Sequence, residues 1–156
     1  MQNPISDTII IRKFREQDLE QILNIENQVA IDPWTREAFI GCAKVYSSVV
    51  AVNPDVIGYG VIAIYASINE AHILNLAVDQ IWQGAGVGAS LLNYLIELCH
   101  KTCGSNNSKI FLEVHKDNLA AINLYKKFNF VEVGIRKNYY KTKYGKQDAL
   151  VLVLDV

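Results

Sequence analysis

Apolar positions recur along the chain with two different spacings, which predict an alternation of strands and helices. Short runs rich in β-branched and aromatic residues predict strands, and apolar residues three or four positions apart predict helices. The predicted strands cover residues 9–11, 45–52, 56–65, 71–78, 109–114, 131–136 and 149–154. The predicted helices cover residues 18–29, 35–39, 87–101 and 119–129. The order β-α-α-β-β-β-α-β-α-β-β is typical of an α/β fold of the α+β type, in which helices flank a mixed sheet.

Residues that favour helix N-termini stand where three of the predicted helices begin. Asp18, with Gln21 three positions later, has the spacing of a capping box. Thr35 and Asn118 are each expected to cap the helix that follows them. The first of these helices has an apolar stripe formed by Leu19, Ile22, Leu23 and Val29. A loop is predicted at residues 104–107.

Composition narrows this picture mainly by exclusion. The 156 residues suit one domain spanning 1–156, and 51% hydrophobic with 20% charged residues is a globular composition. A net charge of −1 argues against a broad nucleic-acid-binding surface. Neither a signal peptide nor an apolar stretch long enough to span a bilayer is visible. We therefore expect a soluble protein with no direct contact to nucleic acid or membrane.

The cysteines suggest a reducing compartment. There are three of them, Cys42, Cys99 and Cys103, and they form no cluster with other metal-ligating residues. Cys99 and Cys103 lie four positions apart on a predicted helix, but a zinc site needs two more ligands at suitable spacing. We expect reduced thiols, no bound metal and a cytoplasmic location.

A glycine-rich stretch before the third predicted helix is the most informative part of the sequence. Gly84, Gly86 and Gly88 alternate with small residues and leave backbone N–H groups uncovered at the helix N-terminus. That end of a helix carries partial positive charge and unpaired donors. The stretch therefore predicts a site for a phosphate or pyrophosphate.

Two familiar phosphate-binding motifs fit this stretch poorly. A kinase-type phosphate loop needs a lysine followed by Ser or Thr after its last glycine, and here Gly88 is followed by Ala89-Ser90. A dinucleotide fingerprint is formally satisfied by Gly84-x-Gly86-x-x-Ala89, and Glu113 closes a later strand at a plausible distance. That fingerprint requires glycines directly at the strand end, whereas residues 79–83 intervene and the chain is short for further βα units.

The sequence of this stretch is similar to the coenzyme A loop of the GCN5-related N-acetyltransferases (the GNAT family). Residues 83–88, Gln-Gly-Ala-Gly-Val-Gly, resemble the family pattern Gln/Arg-x-x-Gly-x-Gly/Ala and follow a strand at the family's usual distance. Residues 111–114 and 118–130 resemble the later family motif "LEV…N…A…LY…GF". The resemblance implies a single-domain fold with a mixed, largely antiparallel sheet, and acetyl-CoA as co-substrate.

Two further segments are similar to the RimI branch of the family, which acetylates the N-terminal alanine of a small-subunit ribosomal protein. Arg136-Lys137-Asn138-Tyr139-Tyr140, with Asp148-Ala149, matches that branch, and so does Pro33-Trp34-Thr35. The matches cover essentially the whole chain in the family's order. The resemblance therefore implies a protein or peptide N-terminus as acceptor, and a ribosomal protein in particular.

The resemblance also implies roles for individual residues. Glu113 matches the family's general base and Tyr125 its general acid, whose hydroxyl lies near the coenzyme A sulfur. Trp34, Tyr139 and Tyr140 are implied to line the acceptor site. The residues implied to bind the co-substrate are Leu76, Ala77, Val78, Gln83, Gly84, Ala85, Gly86, Val87, Gly88, Ala89 and Asn118.

Structural interpretations of the same residues stay open at this point. Tyr125 shares a helical stripe with apolar neighbours and could be a core residue, while Glu113 could be a surface glutamate on an edge strand. His72 and His115 are weaker candidates for a base. We expect His72 to be an ordinary strand residue and His115 to lie in a solvated loop.

The sequence departs from the family pattern at two places. Gly84-Ala85 stands where many members have Arg or Gln, so we expect weaker, but not absent, coenzyme binding. Asn129 replaces the usual glycine before Phe130, and asparagine tolerates the left-handed conformation that ends a helix. Two alternative functions remain open, an acetyltransferase for a lysine or small-molecule amine, and a coenzyme A-binding sensor without turnover.

Overall fold

A computed structural model describes residues 9–104 and 107–156 of the chain. Its elements follow the predicted order. The strands are β1 (Ile10–Lys13), β2 (Ser47–Val52), β3 (Val56–Tyr65), β4 (Glu70–Val78), β5 (Lys109–His115), β6 (Val131–Thr142) and β7 (Gly145–Asp155). The helices are α1 (Leu19–Val29), α2 (Arg36–Val45), α3 (Val87–Cys103) and α4 (Leu119–Lys127). Ser105 and Asn106 of the predicted loop, and the N-terminal residues in which no signal peptide was expected, lie outside the described residues.

The strands form one seven-stranded sheet in the order β1-β2-β3-β4-β5-β7-β6. Strand β4 pairs with β5 in parallel, and the pairs β1–β2, β2–β3, β5–β7 and β6–β7 are antiparallel. A parallel pair needs a long crossover, which α3 supplies between β4 and β5. The predicted mixed, largely antiparallel sheet is therefore confirmed.

The second helix is longer than predicted, and Val45 belongs to it and not to a strand. Thr35 caps α2 as expected, because its Oγ1 accepts a hydrogen bond from the Ala38 N–H at 3.1 Å. The helix then continues until the Tyr46 N–H donates to the Cys42 carbonyl at 2.8 Å. The β-branched side chain of Val45 favours a strand only weakly, and the completed last turn overrides that preference.

The predicted capping box of Asp18 and Gln21 is wrong. Both carboxylate oxygens of Asp18 accept from the Arg12 guanidinium at 2.8 and 2.9 Å, and the Arg15 N–H donates to Oδ2 at 2.8 Å. The hydrogen bonds from Arg12 hold the pKa of Asp18 below its usual range. Gln21 instead accepts from the Val56 N–H at 3.0 Å. A bidentate charged pair is stronger than a single N-cap hydrogen bond, so the Asp18 carboxylate binds Arg12 and does not cap α1.

The last two strands extend well beyond their predicted limits. They continue as a hairpin through Tyr140↔Gln147 to Thr142↔Gly145, where Gly145 has φ +101°. The residues in this extension are polar and aromatic and lack an apolar alternation. Pairing across the hairpin and a glycine turn therefore form strands that the hydrophobic pattern does not reveal.

The described chain divides into two compact units. The first contains the described residues up to Ile62 together with Asn75–Leu95. Its buried core includes Ile22, Val50, Tyr59, Val61 and Leu91. Glycine is needed at Gly58, because a Cβ there would lie 3.0 Å from the Ala77 carbonyl oxygen and 3.0 Å from Leu91 Cδ1. The missing side chain lets the first turns of α3 pack closely on β3.

The second unit contains Ala63–Leu74 and Ile96–Val156. Its core is formed by strand and helix residues such as Cys99, Ile110, Leu112, Phe130 and Leu152. None of the helices in the described parts of the chain is both long and apolar enough to cross a bilayer.

Candidate active site

The glycine-rich stretch joins the end of β4 to the start of α3 and contains one short helical turn. That turn covers Gln80–Trp82, and Asp79 caps it by accepting from the Ile81 N–H at 3.1 Å. The glycines therefore stand one turn away from the strand end. A dinucleotide fingerprint requires its glycines directly at the strand end, so this arrangement does not fit one.

Two of the glycines have a backbone conformation that favours glycine strongly. Gly84 has φ +81° and Gly86 has φ +87°, both in the left-handed region. The first hydrogen bond of α3 runs from the Ser90 N–H to the Gly86 carbonyl at 3.0 Å. The N–H groups of Val87, Gly88 and Ala89 consequently have no partner within the helix. They form a set of donors at its positive end, as an anion site requires.

The side chain of Gln83 ties this stretch back to the strand before it. Its Nε2 donates to the Val78 carbonyl at 3.1 Å. The parallel ladder of β4 with β5 covers only the pairs from Glu70↔Lys109 to Ile73↔Leu112. It ends before Leu76, Ala77 and Val78, the three β4 residues predicted to bind the co-substrate. These residues lie next to the glycine-rich stretch in the first unit.

Glu113 lies on an interior strand of the sheet. It sits on β5, between β4 and β7, and pairs with Val151. Its side chain is 17% exposed, so the alternative of a surface glutamate on an edge strand is wrong. Its Oε1 accepts from Arg136 Nη1 at 3.0 Å. A carboxylate has about four acceptor positions, so this ion pair leaves Glu113 with positions for further hydrogen bonds.

The segment that contains Arg136 forms a bulge in β6 whose geometry involves Asp148. The ladder shifts from Arg136↔Ala149 to Tyr140↔Gln147, which leaves extra residues on β6. Asn138, within the bulge, has φ +57° and donates its N–H to Asp148 Oδ1 at 2.9 Å. Segments 136–140 and 148–149, which resemble the same branch of the family, are therefore in contact across the bulge.

The bulge also places two of the predicted acceptor-site tyrosines beside the Glu113 ion pair. The Arg136 guanidinium lies over the Tyr139 ring, 4.7 Å from its centroid. The rings of Tyr139 and Tyr140 meet edge to face at 4.9 Å. The structure therefore joins Glu113, Arg136 and Tyr139 into one cluster in the second unit.

Tyr125 is a buried residue of α4. It is 6% exposed, and its ring packs 5.7 Å from that of Phe130. Burial raises the pKa of Tyr125 to about 12, so the hydroxyl keeps its proton at neutral pH. Such a hydroxyl can donate a proton, but burial suits a core residue equally well. The role of Tyr125 stays a prediction.

Both ends of α4 have the predicted geometry. Asn118 Oδ1 accepts from the Ala121 N–H at 3.2 Å and caps the helix. Asn129 has φ +71°, so the asparagine preserves the left-handed end that the usual glycine would form.

The predicted position of His115 is wrong. It is the last residue of β5 and is buried. Its Nδ1 accepts from the Asp117 N–H at 3.1 Å, so the ring proton is on Nε2, which contacts Gln147 Oε1. Both ring nitrogens of His115 are therefore engaged in hydrogen bonds. His72 is a strand residue as expected, stacked 5.3 Å from Phe111.

Trp34 lies in the first unit, in the segment between α1 and α2. Its ring is 6.3 Å from that of Phe39. Trp34 also lines an open pocket of about 430 Å³ with neighbouring residues that include Asn24, Asn27, Pro33 and Arg36. The predicted acceptor-site residues are therefore distributed, with Trp34 in one unit and the two tyrosines in the other.

The first unit contains a buried carboxylate that was not predicted from the sequence. Glu26 is 2% exposed, and its oxygens accept hydrogen bonds from Tyr59, Asn75 and Trp34. A signal for it exists, because Glu26 continues the spacing of Leu19 along the apolar stripe of α1, seven positions later. A charged residue at such a position indicates a buried, hydrogen-bonded group.

Comparison with known proteins identifies the family. The model of the acetyltransferase (GNAT) family matches residues 11–130. Ribosomal protein bS18-alanine N-acetyltransferase from Salmonella typhimurium is 34% identical, covering 89% of this chain and 92% of that protein. The Escherichia coli enzyme of that name is 30% identical, covering 94% and 97%. The crystal structure of the Escherichia coli enzyme superimposes with a TM-score of 0.84, covering 96% of this chain and 94% of that one. The chain therefore belongs to the acetyltransferase (GNAT) family.

Proposed function

We propose that this N-acetyltransferase transfers the acetyl group of acetyl-CoA to the N-terminal α-amine of a protein, specifically the N-terminal alanine of a small-subunit ribosomal protein. The observation that carries the proposal is the similarity, over 94% of the chain, to an enzyme named for that acceptor. The segments 33–35 and 136–140, similar to that branch of the family, support the same acceptor.

Glu113 is proposed to act as the general base. An α-amine has a pKa near 8 and is mostly protonated at neutral pH, so a proton must leave before the nitrogen can attack. The carboxylate of Glu113 is partly shielded from solvent and has acceptor positions beyond the one that Arg136 occupies. It takes the proton directly or through one water molecule.

Tyr125 is proposed to act as the general acid. The thioester of acetyl-CoA supplies an activated acyl group whose leaving group is a thiolate. A neutral hydroxyl with a pKa of about 12 is protonated throughout the working pH range and can donate to that sulfur. The proposed acid and the proposed base are thus different residues.

The glycine-rich stretch is proposed to hold the pyrophosphate of the co-substrate. The free N–H groups at the start of α3 match phosphate oxygens in charge and hydrogen-bonding capacity. The backbone of Leu76, Ala77 and Val78 is proposed to pair with the amides of the pantetheine arm, because the β4–β5 ladder ends before them. Asn118, whose Oδ1 already caps α4, is proposed to contact the co-substrate as well.

Introducing a positive charge at Ala85 is expected to strengthen coenzyme A binding. Gly84 is the wrong position for this test, because φ +81° disfavours arginine whatever its charge does. Ala85 is exposed and has no such restriction. We expect Ala85→Arg to lower the calorimetric Kd by up to about tenfold, about 1.4 kcal/mol, in low salt. Ala85→Gln is the uncharged control, and an Ala85→Arg affinity equal to that of the control would contradict the phosphate assignment.

Two other functions make different predictions. An enzyme for lysine or small-molecule amines would acetylate those acceptors faster than any peptide N-terminus. A coenzyme A-binding sensor would bind the coenzyme without turnover, and Glu113→Gln would leave its binding unchanged. The first result would replace the proposed acceptor, and the second would replace the proposed enzymatic function.

A screen of acceptors tests the proposal directly. Peptides that begin with alanine, including the N-terminus of the small-subunit ribosomal protein, are compared with peptides of other N-termini, internal lysines and free amines. Thiol release from acetyl-CoA gives the rate, and fragmentation mass spectrometry locates the acetyl group. We expect the ribosomal alanine N-terminus to have the highest kcat/KM.

A cytoplasmic location and a single functional domain over residues 1–156 are also proposed. Cys42, Cys99 and Cys103 are free thiols, and the sulfurs of Cys99 and Cys103 are 4.0 Å apart. Free thiols at that distance suit a reducing compartment.

A further inference from the structure

Glu26 is a buried acidic residue that the proposed chemistry does not use. It lies near the end of α1, on the side of the helix that faces the core, and is 2% exposed. An isolated buried carboxylate is strongly destabilising, so its charge must be balanced by hydrogen-bond donors. The identity of those donors therefore indicates which segments Glu26 holds in place.

The donors come from three separate segments of the first unit. Tyr59, on β3, donates its hydroxyl to Oε1 at 2.5 Å. Asn75, on β4, donates Nδ2 to Oε2 at 2.8 Å. The backbone N–H of Trp34, between α1 and α2, donates to the same oxygen at 3.1 Å. One carboxylate thus connects a sheet strand, the strand that leads to the glycine-rich stretch, and a surface segment.

Aromatic packing supports the same connection. Phe39, the first buried residue of α2, lies 5.9 Å from the Tyr59 ring and 6.3 Å from the Trp34 ring. Thr35 caps α2 directly after Trp34. The segment 33–35 is therefore fixed by the helix cap on one side and by Glu26 on the other. Its outward side lines the open pocket that contains Pro33 and Trp34.

We propose that Glu26 is a positioning residue for acetyl transfer, which holds Trp34 and the segment 33–35 in the conformation that receives the acceptor. This inference rests on the proposed function, in which Trp34 contacts the acceptor. Glu26 itself touches no reacting atom. A segment that is already ordered spares the acceptor the entropic cost of ordering those side chains when it binds.

Kinetics of Glu26→Ala and Glu26→Gln test the proposal. The alanine leaves three donors without their acceptor, whereas glutamine can accept from Asn75 and Trp34 through its oxygen and donate to the Tyr59 hydroxyl. We expect Glu26→Ala to raise the acceptor KM by about tenfold while the Kd for coenzyme A stays within about threefold. Glu26→Gln is expected to stay within about threefold on both. An unchanged acceptor KM in folded Glu26→Ala, or an equal loss of coenzyme affinity, would overturn the proposal.

Fluorescence gives a second test that needs no acceptor. The chain has two tryptophans, Trp34 and Trp82, so Trp82→Phe leaves Trp34 as the only tryptophan, and excitation at the long-wavelength edge of its absorption avoids the tyrosines. In that background, Glu26→Ala should shift Trp34 emission to longer wavelength and increase its quenching by acrylamide. Glu26→Gln should change neither, and Gln28→Ala, an exposed position on the same helix, serves as control.

The two tests separate failure of this inference from failure of the proposed function. If no acceptor is acetylated but Trp34 emission shifts as expected, Glu26 still positions Trp34 and the proposed function is wrong. Unchanged Trp34 emission in Glu26→Ala disproves the positioning role whatever the activity. Should Glu26→Ala fail to fold, Tyr59→Phe removes one of the three hydrogen bonds and keeps the ring beside Phe39. A smaller red shift and a smaller KM increase are then expected, and their absence overturns the proposal.

Discussion

Glu113→Gln is expected to lower kcat for acetyl transfer by about 10²–10⁴-fold, the usual contribution of a positioned general base. Glutamine has nearly the same shape and keeps an oxygen that can accept a hydrogen bond from Arg136, so the fold is disturbed little although the charge of the ion pair is lost. What is lost is the ability to hold the proton that leaves the amine. Thiol release with the alanine-starting ribosomal peptide measures the loss, and calorimetry shows whether coenzyme A binding is retained.

The pH dependence of the same variant is a sharper test. Without the base, only the fraction of acceptor already deprotonated can react, so its rate should rise with pH until the α-amine pKa near 8 is passed. Glu132→Gln, an exposed position on β6, is the matched control and should behave like the unmodified enzyme. A Glu113→Gln enzyme within about threefold of the unmodified rate would contradict the assigned role.

Tyr125→Phe is expected to lower kcat by about 10²–10³-fold, because the thiolate must then leave without a proton donor. The ring packing against Phe130 is retained, so the free energy of unfolding should fall by about 1 kcal/mol at most. Stopped-flow thiol release measures the first quantity and thermal unfolding the second.

The size of the kinetic effect decides between the two interpretations of Tyr125. A core tyrosine would give a small stability change and nearly unchanged turnover. Because its pKa is about 12, Tyr125 stays protonated at lower pH and should cause no loss of activity on the alkaline side until that pH is approached. Tyr65→Phe, at an exposed position, is the control. An alkaline decline between pH 8 and 10 that disappears in Tyr125→Phe would show that the hydroxyl titrates well below this value.

The order of elements was predictable because the apolar periodicity of each element reflects burial of one face. At Asp18 and His115 the predictions failed because a contact with another element outweighs a local preference. The Asp18 side chain does not cap α1 as expected, because it binds the charged Arg12 guanidinium. His115 is buried because β5 continues past Val114, and the imidazole finds Gln147 on the paired strand. Neither partner can be identified from sequence spacing alone.

The candidate site was predictable only in part, for a similar reason. The φ values of Gly84 and Gly86, and the caps at Thr35 and Asn118, are local properties, and residue type indicates them. The ion pair of Glu113 with Arg136 depends on their strands flanking β7, where they lie beside Val151 and Ala149. Register across three strands is not visible in a single sequence.

Mass spectrometry of a single reaction can decide whether the enzyme acetylates an N-terminal α-amine. The enzyme is incubated with acetyl-CoA and an alanine-starting ribosomal peptide that also contains an internal lysine, and the product is fragmented. We predict a single acetyl group on the α-amine of alanine, formed by the unmodified enzyme and almost absent with Glu113→Gln. An acetyl group on the lysine side chain, or coenzyme A binding with no transfer to any amine, would disprove the proposed function.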